Sequence, residues 1–119
     1  MVLSYTTSPA YHMIEEGSER YQAASFSEGH YMQVEVAGLT TRGAENPLAR
    51  QFMTFMVSPA FQDTIPQKNW MLPAGETSEP LDPAFDRLVK PAKSLMLPPD
   101  VVADNRKAWI DEWLAAMAR

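Results

Sequence analysis

Four prolines that each follow a helix-capping side chain are the feature that most constrains how this chain folds. They are found in the pairs Ser8-Pro9, Asn46-Pro47, Ser58-Pro59 and Asp82-Pro83. The side-chain oxygen of the first residue can accept an early helical N–H, and proline suits the first helical position because its missing N–H would have no partner there. The sequence therefore predicts helices that begin near these four pairs.

The spacing of apolar residues extends these starts into helices. We predict helices over residues 9–16, 47–57, 59–65 and 83–90, and a last helix over about 100–118. Gly17 is a natural stop for the first of them. In the last helix, Trp109 and Trp113 fall on one side together with Val102 and Met117, which predicts a buried stripe.

Strands are scarce by comparison. Alternation of apolar and polar residues predicts one strand over 30–36, and a second is expected over 2–5. Two strands alone are marginal as a sheet, and so small an α/β sheet would leave the helices without a surface to pack on. The chain is thus expected to be either a small, mostly helical domain or, as we favour, an α/β fold whose remaining strands lie on absent chain.

Composition excludes several classes of protein. The chain has 119 residues, of which 45% are hydrophobic, so it has room for one domain with a packed core. Its net charge of −5 argues against a nucleic-acid surface and permits a cationic ligand. Because cysteine is absent, disulfides, Cys-ligated zinc and thiol nucleophiles are excluded. No apolar run reaches the length of a membrane span, and no signal peptide is recognised at the start.

The richest segment for chemistry spans residues 4–12. A predicted strand end carries Tyr5, three hydroxyl residues follow at 6–8, and a helix then opens. Backbone N–H groups and hydroxyls at the positive end of a helix dipole suit a phosphate, a carboxylate or a polar ring edge, and Tyr5 and Tyr11 would flank that turn. The alternative is that Ser8 only caps the helix and the two threonines only end the strand.

A second candidate is the proline-bounded segment 66–73, which contains Trp70. A tryptophan on an irregular segment is harder to explain as core than one on a helical stripe. Its indole face attracts a cation with about 0.5–2 kcal/mol, depending on how dry the site is. The alternative is that Trp70 only anchors the loop against the domain.

Evidence for catalysis is thin. His12 and Glu16 stand four residues apart, but two histidines without a metal-binding frame are a weak signal. Ser8, His12 and Glu15 fall within so short a stretch that nucleophile, base and orienting group cannot easily align. Since no glycine-rich phosphate loop occurs either, we expect no catalytic residue, no metal site and no enzyme.

Four stretches of the sequence resemble one known family of proteins. The stretches 2–12, 26–37, 52–66 and 108–113 are similar to parts of the thiamine-binding periplasmic proteins of bacterial ABC importers. The motifs Tyr-Thr-Thr-Ser-Pro-Ala-Tyr-His at 5–12 and Asn-Trp-Met at 69–71 are the specific ones. The likeness covers essentially the whole chain but only the C-terminal third or so of such a receptor.

The resemblance implies a fold, a unit and a site. The fold is α/β, part of a type II periplasmic-binding-protein fold, with residues 1–119 as a single C-terminal segment of a two-lobed receptor truncated on its N-terminal side. The ligand would lie between the lobes, and further contacts would come from upstream chain. Carried over position by position, the ligand-binding residues are Tyr5, Thr6, Thr7, Ser8, Tyr11 and Trp70.

The resemblance also implies partners. Thiamine, and with it the mono- and diphosphate, would be the transported ligand rather than a cofactor, and a membrane permease and its ATPase would be partners of a full-length periplasmic protein. Because exposed strand edges invite pairing, an edge-paired or swapped homodimer is a further expectation. A thiamine-degrading enzyme of related fold uses a cysteine nucleophile, which this chain lacks. Two alternatives remain: a receptor of the same architecture for a polyamine or metal chelate, and a truncated interaction module that binds no ligand.

Overall fold

A computed structural model describes residues 2–118, so the two end residues of the predicted unit 1–119 lie outside it. Its elements are five α-helices, two short strands and two 3-10 turns. The helices are α1 (Ser8–Glu15), α2 (Pro47–Met56), α3 (Pro59–Gln62), α4 (Ile65–Lys68) and α5 (Pro99–Met117). The strands are β1 (His30–Tyr31) and β2 (Ser94–Leu95), and the 3-10 turns are Gly43–Glu45 and Pro83–Arg87.

The predicted helices are confirmed in part. The bounds of α1, α2 and α5 agree with the predicted ones to within a residue. The prediction of one helix over 59–65 is wrong: α3 ends at Gln62 and α4 restarts at Ile65, because Pro66 has no N–H to donate to the preceding turn and sits instead at the start of a new helix. The α-helix predicted over 83–90 is a 3-10 turn, since Leu88 has left the helical region at ψ 150°.

Two of the four predicted caps are made by side chains. The Asn46 Oδ1 and Asp82 Oδ1 atoms each accept the N–H two residues further on, at 2.9 and 2.8 Å. The capping roles predicted for Ser8 and Ser58 are wrong. The Ser8 hydroxyl lies 2.6 Å from that of Ser4, and the Ser58 hydroxyl donates to a carbonyl three residues back. Both serines therefore use their hydroxyls locally instead of for a cap.

The strands differ more from the prediction. Only the first two residues of the predicted strand 30–36 pair, as β1, and they do so in parallel with β2, which the sequence does not predict. The strand expected over 2–5 is not formed. Val2 and Leu3 are 84% and 85% exposed, and within the described part of the chain nothing pairs with them. A strand without a neighbour has no ladder to stabilise it.

Little apolar surface is buried. Ala10, Ala84 and Phe85 are the buried hydrophobic residues of the described part. The solvent-accessible surface is 9775 Å², whereas a compact monomer of this mass exposes about 6,500 Å². The Cα radius of gyration is 17.7 Å, against about 13.5 Å for a compact domain of this length. The buried stripe predicted for α5 is also wrong, because Trp109 and Trp113 are 39% and 49% exposed.

Candidate ligand-binding site

The turn at residues 5–8 leads directly into α1. The Ser8 N–H donates to the Tyr5 carbonyl at 3.1 Å, and the Ala10 N–H donates to the Thr7 carbonyl at 3.0 Å. Behind the turn, the first residues of α1 are buried, and α1 packs on the 3-10 turn Pro83–Arg87. The turn is thus fixed from behind, while the Tyr5 side chain remains half exposed.

The loop that carries Trp70 begins where α4 ends. The Asn69 N–H donates to the Ile65 carbonyl at 3.0 Å and caps the helix. Trp70 follows with φ +56°, and within residues 2–118 it is the one non-glycine residue with a positive φ. Glycine usually occupies this position after a helix, and a bulky residue there is strained by about 1–3 kcal/mol. Trp70 therefore keeps a conformation that its surroundings must maintain.

The irregular stretch beyond Trp70 is anchored by two side chains of the preceding segment. Gln62 is buried; its Nε2 donates to the Met56 carbonyl at 2.8 Å, and its Oε1 accepts the N–H groups of residues 74–75 at 2.9 and 3.1 Å. Asp63 Oδ1 accepts the Ser78 N–H at 2.7 Å. Buried polar groups that are all hydrogen-bonded hold a loop in one conformation. The long loop is therefore an ordered part of the fold.

Two contacts bring the turn and the Trp70 loop together. The rings of Tyr11 and Trp70 meet edge to face, with centroids 5.1 Å apart and planes at 88°. The Thr7 hydroxyl donates to the Met71 sulfur at 3.7 Å. Edge-to-face aromatic pairs contribute about 0.5–1.5 kcal/mol beyond the area they bury. The two segments singled out in the sequence thus form one continuous surface.

The six residues expected to bind a ligand do not occupy equivalent places in that surface. Tyr11 and Trp70 are in contact, while Tyr5 is 50% exposed and, among the described residues, takes part in no ring pair. Thr6 and Ser8 are partly exposed. Thr7 is only 6% exposed, and its hydroxyl is directed at the Met71 sulfur. Its side chain therefore links the two segments and is largely shielded from solvent.

Sequence reasoning considered His12 only as a weak metal or catalytic candidate and did not predict that it supports this surface. The His12 ring lies 4.1 Å from the Tyr21 ring and 5.2 Å from the Tyr11 ring, measured between centroids. Its Nδ1 lies 2.8 Å from Glu16 Oε2. The four-residue spacing of His12 and Glu16 favours that hydrogen bond, but nothing in the sequence indicates the ring contact with Tyr21.

The candidate site is an open face. The surface of the described residues has depressions of about 220 and 210 Å³. None of the six residues expected to bind a ligand lines either of them. Over residues 2–118, no cluster of three or more metal-ligating side chains occurs. In the same range, no helix combines the length and apolar character needed to cross a bilayer. The candidate surface therefore offers aromatic faces and hydroxyls to one side of a ligand and does not enclose it.

Comparison with known proteins places the chain among one group of relatives. No family model matches it. It is 60% identical over 119 residues to the thiamine-binding periplasmic protein of Brucella suis, 53% to that of Escherichia coli, and 37% over 120 residues to that of Haemophilus influenzae. All of this chain is covered in each case, but only 35–36% of each relative. The relatives are named as binding proteins and as periplasmic.

A solved structure agrees with the sequence comparison. It is described as a periplasmic thiamin binding protein, is 53% identical, and superposes with a TM-score of 0.86. It covers 99% of this chain, which in turn covers 36% of it. The expectation of an α/β binding-protein fold is thereby confirmed. Along its whole length, the chain is therefore related in sequence and fold to the C-terminal portion of the thiamine-binding periplasmic proteins.

Proposed function

We propose that this chain forms one side of a thiamine site in the solute receptor of an ABC importer. The observation that carries the proposal is the edge-to-face contact of Tyr11 with Trp70, which joins the two motifs shared with the relatives into one aromatic surface. The relatives' names supply the ligand. The chain acts in this proposal as a binding protein, so thiamine incubated with it is recovered unchanged.

The chemistry of the surface suits thiamine. The vitamin joins a permanently cationic thiazolium to an aminopyrimidine ring, and aromatic faces attract both the cation and the rings. Tyr5, Tyr11 and Trp70 are the proposed ring contacts. Thr6 and Ser8 form the polar rim, and Thr7 joins them when its hydroxyl turns away from the Met71 sulfur. The phosphates of the mono- and diphosphate would meet N–H groups at the start of α1.

The other side of the site belongs, in this proposal, to another lobe. The open candidate face and the large accessible surface both support a receptor in which residues 1–119 form a single segment of a two-lobed protein. Such a receptor works in the periplasm and delivers its ligand to a permease and its ATPase. Expressed alone, the chain would pair through its exposed edges into a homodimer.

A chimera tests the proposal. The 119 matched residues of the Brucella suis relative are replaced by this chain, and thiamine and its two phosphates are titrated by isothermal calorimetry. We expect saturable binding, and we expect Trp70→Ala to weaken thiamine binding at least about tenfold because the cation loses its aromatic face. Trp70→Phe, which keeps a ring, is the matched control. Unchanged affinity in Trp70→Ala would contradict the site assignment.

The same titration separates the two alternatives. A receptor for another ligand would leave thiamine without effect and respond to a polyamine or a metal chelate instead. A module that binds no ligand would give a folded chimera that responds to none of them. If neither a polyamine nor a metal chelate displaces bound thiamine, the result supports thiamine as the ligand.

A further inference from the structure

The strained backbone of Trp70 raises the question of what holds it. The residue before it, Asn69, makes a second hydrogen bond besides the one that caps α4. Its Nδ2 donates to Glu35 Oε2 at 3.0 Å, across a sequence separation of 34 residues. This bond ties the end of α4, immediately next to Trp70, to a distant segment of the chain.

Glu35 lies on the continuation of β1. The Met32 N–H still donates to the Leu95 carbonyl of β2 at 2.8 Å, and residues 33–36 continue from there as exposed chain outside the sheet. Within residues 2–118, the Asn69–Glu35 contact is the one side-chain hydrogen bond between this continuation and the Trp70 loop. Because β1 is itself held by pairing with β2, the bond connects the Trp70 loop to the sheet.

We propose that Glu35 and Asn69 are positioning residues for Trp70. Their hydrogen bond fixes the orientation of Asn69 at the end of α4, and so favours the left-handed conformation at the next residue. That conformation directs the indole toward Tyr11. Without the bond, the backbone of Trp70 relaxes toward the negative φ that a bulky residue prefers, and the ring leaves its partner. The consequence for ligand affinity rests on the function proposed above.

An exchange of donor and acceptor tests the bond itself. Asn69→Asp replaces the donor by a second carboxylate, which repels Glu35. Glu35→Gln keeps an acceptor and removes the charge. The double variant, Glu35→Gln with Asn69→Asp, restores the bond in reverse, because the new amide of residue 35 donates to the new carboxylate of residue 69. Glu112→Gln, at an exposed position of α5, controls for the loss of one negative charge.

Two readouts are measured in the chimera and in the 119-residue chain. The first needs no ligand: in protein labelled with ¹⁵N-tryptophan, the indole signal of Trp70 is identified as the one missing in Trp70→Phe. The second is thiamine affinity. We expect Asn69→Asp to shift and broaden the Trp70 signal and to weaken thiamine binding about tenfold, Glu35→Gln to do so about threefold, and the double variant to return to the Glu35→Gln level. Glu112→Gln should change neither.

Each possible outcome either upholds or overturns the positioning role of Glu35 and Asn69. A Trp70 signal that stays in place in both single variants overturns the proposal, and so does a displaced signal that the double variant fails to restore. Displacement with restoration, in a protein that binds no thiamine in any form, upholds the positioning role and contradicts the proposed function. Glu35→Gln keeps the test open if Asn69→Asp does not fold, because it changes only one exposed side chain.

Discussion

The chain carries two aromatic regions that behave in opposite ways. Trp70 lies on an irregular loop with an unfavourable backbone conformation, yet its ring is held against Tyr11. Trp109 and Trp113 lie on α5, the longest regular element, yet α5 contains no buried residue. The loop is therefore defined by contacts within this chain, whereas the helix is defined by its own backbone and presents its apolar side outward.

The two regions differ in what their local features reveal about their contacts. Apolar spacing in α5 specifies a helix but says nothing about which surface it packs on. The conformation of Trp70, in contrast, is unfavourable for a bulky residue taken alone, and its ring contacts Tyr11 of a different segment. A strained residue held by distant contacts therefore indicates function more directly than a regular stripe does.

The largest effect is expected at Trp113. If the other lobe covers α5, Trp113→Ala should lower the free energy of unfolding of the chimera by about 3 kcal/mol, because a buried tryptophan is lost. In the 119-residue chain alone, the same change should have almost no effect on stability. Thermal or denaturant unfolding of both proteins measures this. Equal losses in the two would mean that α5 packs within the chain itself.

Gln62 should give the next largest effect. Gln62→Leu leaves two N–H groups of the loop and one carbonyl without partners and should cost about 2 kcal/mol of stability. Gln67→Leu, the same change at an exposed position of α4, is the control and should cost far less. A denaturant series compares the two variants. Identical stability of Gln62→Leu and the parent would show that the loop needs no such anchor.

A smaller effect measures the strain at Trp70 directly. Trp70→Gly and Trp70→Ala both remove the indole, but only glycine adopts a positive φ freely. The glycine variant should therefore be more stable than the alanine variant by about 1 kcal/mol, the reverse of the usual order. Unfolding midpoints of the two variants give the difference. An alanine variant of equal or greater stability would argue against a left-handed backbone at this position.

The smallest effect is expected at Thr7. Thr7→Val keeps the shape of the side chain and removes the hydroxyl that donates to the Met71 sulfur. Because sulfur is a weak acceptor, thiamine affinity in the chimera should change by no more than about threefold. Thr7→Ser retains the hydroxyl as the control. A loss as large as that of Trp70→Ala would mean that the Thr7 hydroxyl contributes as much to binding as the Trp70 ring, which would contradict its minor place in the polar rim.

Much of the local structure could be predicted from the sequence. Asn46 and Asp82 cap as their spacing before proline indicates, and Gly17 takes the left-handed conformation (φ +59°) just beyond α1. Such features depend on neighbours within a few residues. The resemblance also singled out the two segments that the fold brings together, although it did not show their contact.

What could not be foreseen depends on contacts distant in the chain. The two-residue strand β2 has no pattern of its own and exists through its pairing with β1, about 60 residues earlier in the chain. No local rule anticipates a bond from Asn69 to Glu35 or a positive φ at a tryptophan. The exposure of α5 escaped prediction for a similar reason, because a stripe defines an apolar side and not the partner that covers it.

In the proposed function, the aromatic surface of Tyr11 and Trp70, and not the one on α5, receives thiamine. The direct measurement is a thiamine titration of the ¹⁵N-tryptophan-labelled chimera, with the three indole signals of this chain identified by single tryptophan-to-phenylalanine substitutions. We expect the Trp70 signal to move saturably while those of Trp109 and Trp113 stay in place. Thiamine binding that leaves the Trp70 signal unmoved would contradict it.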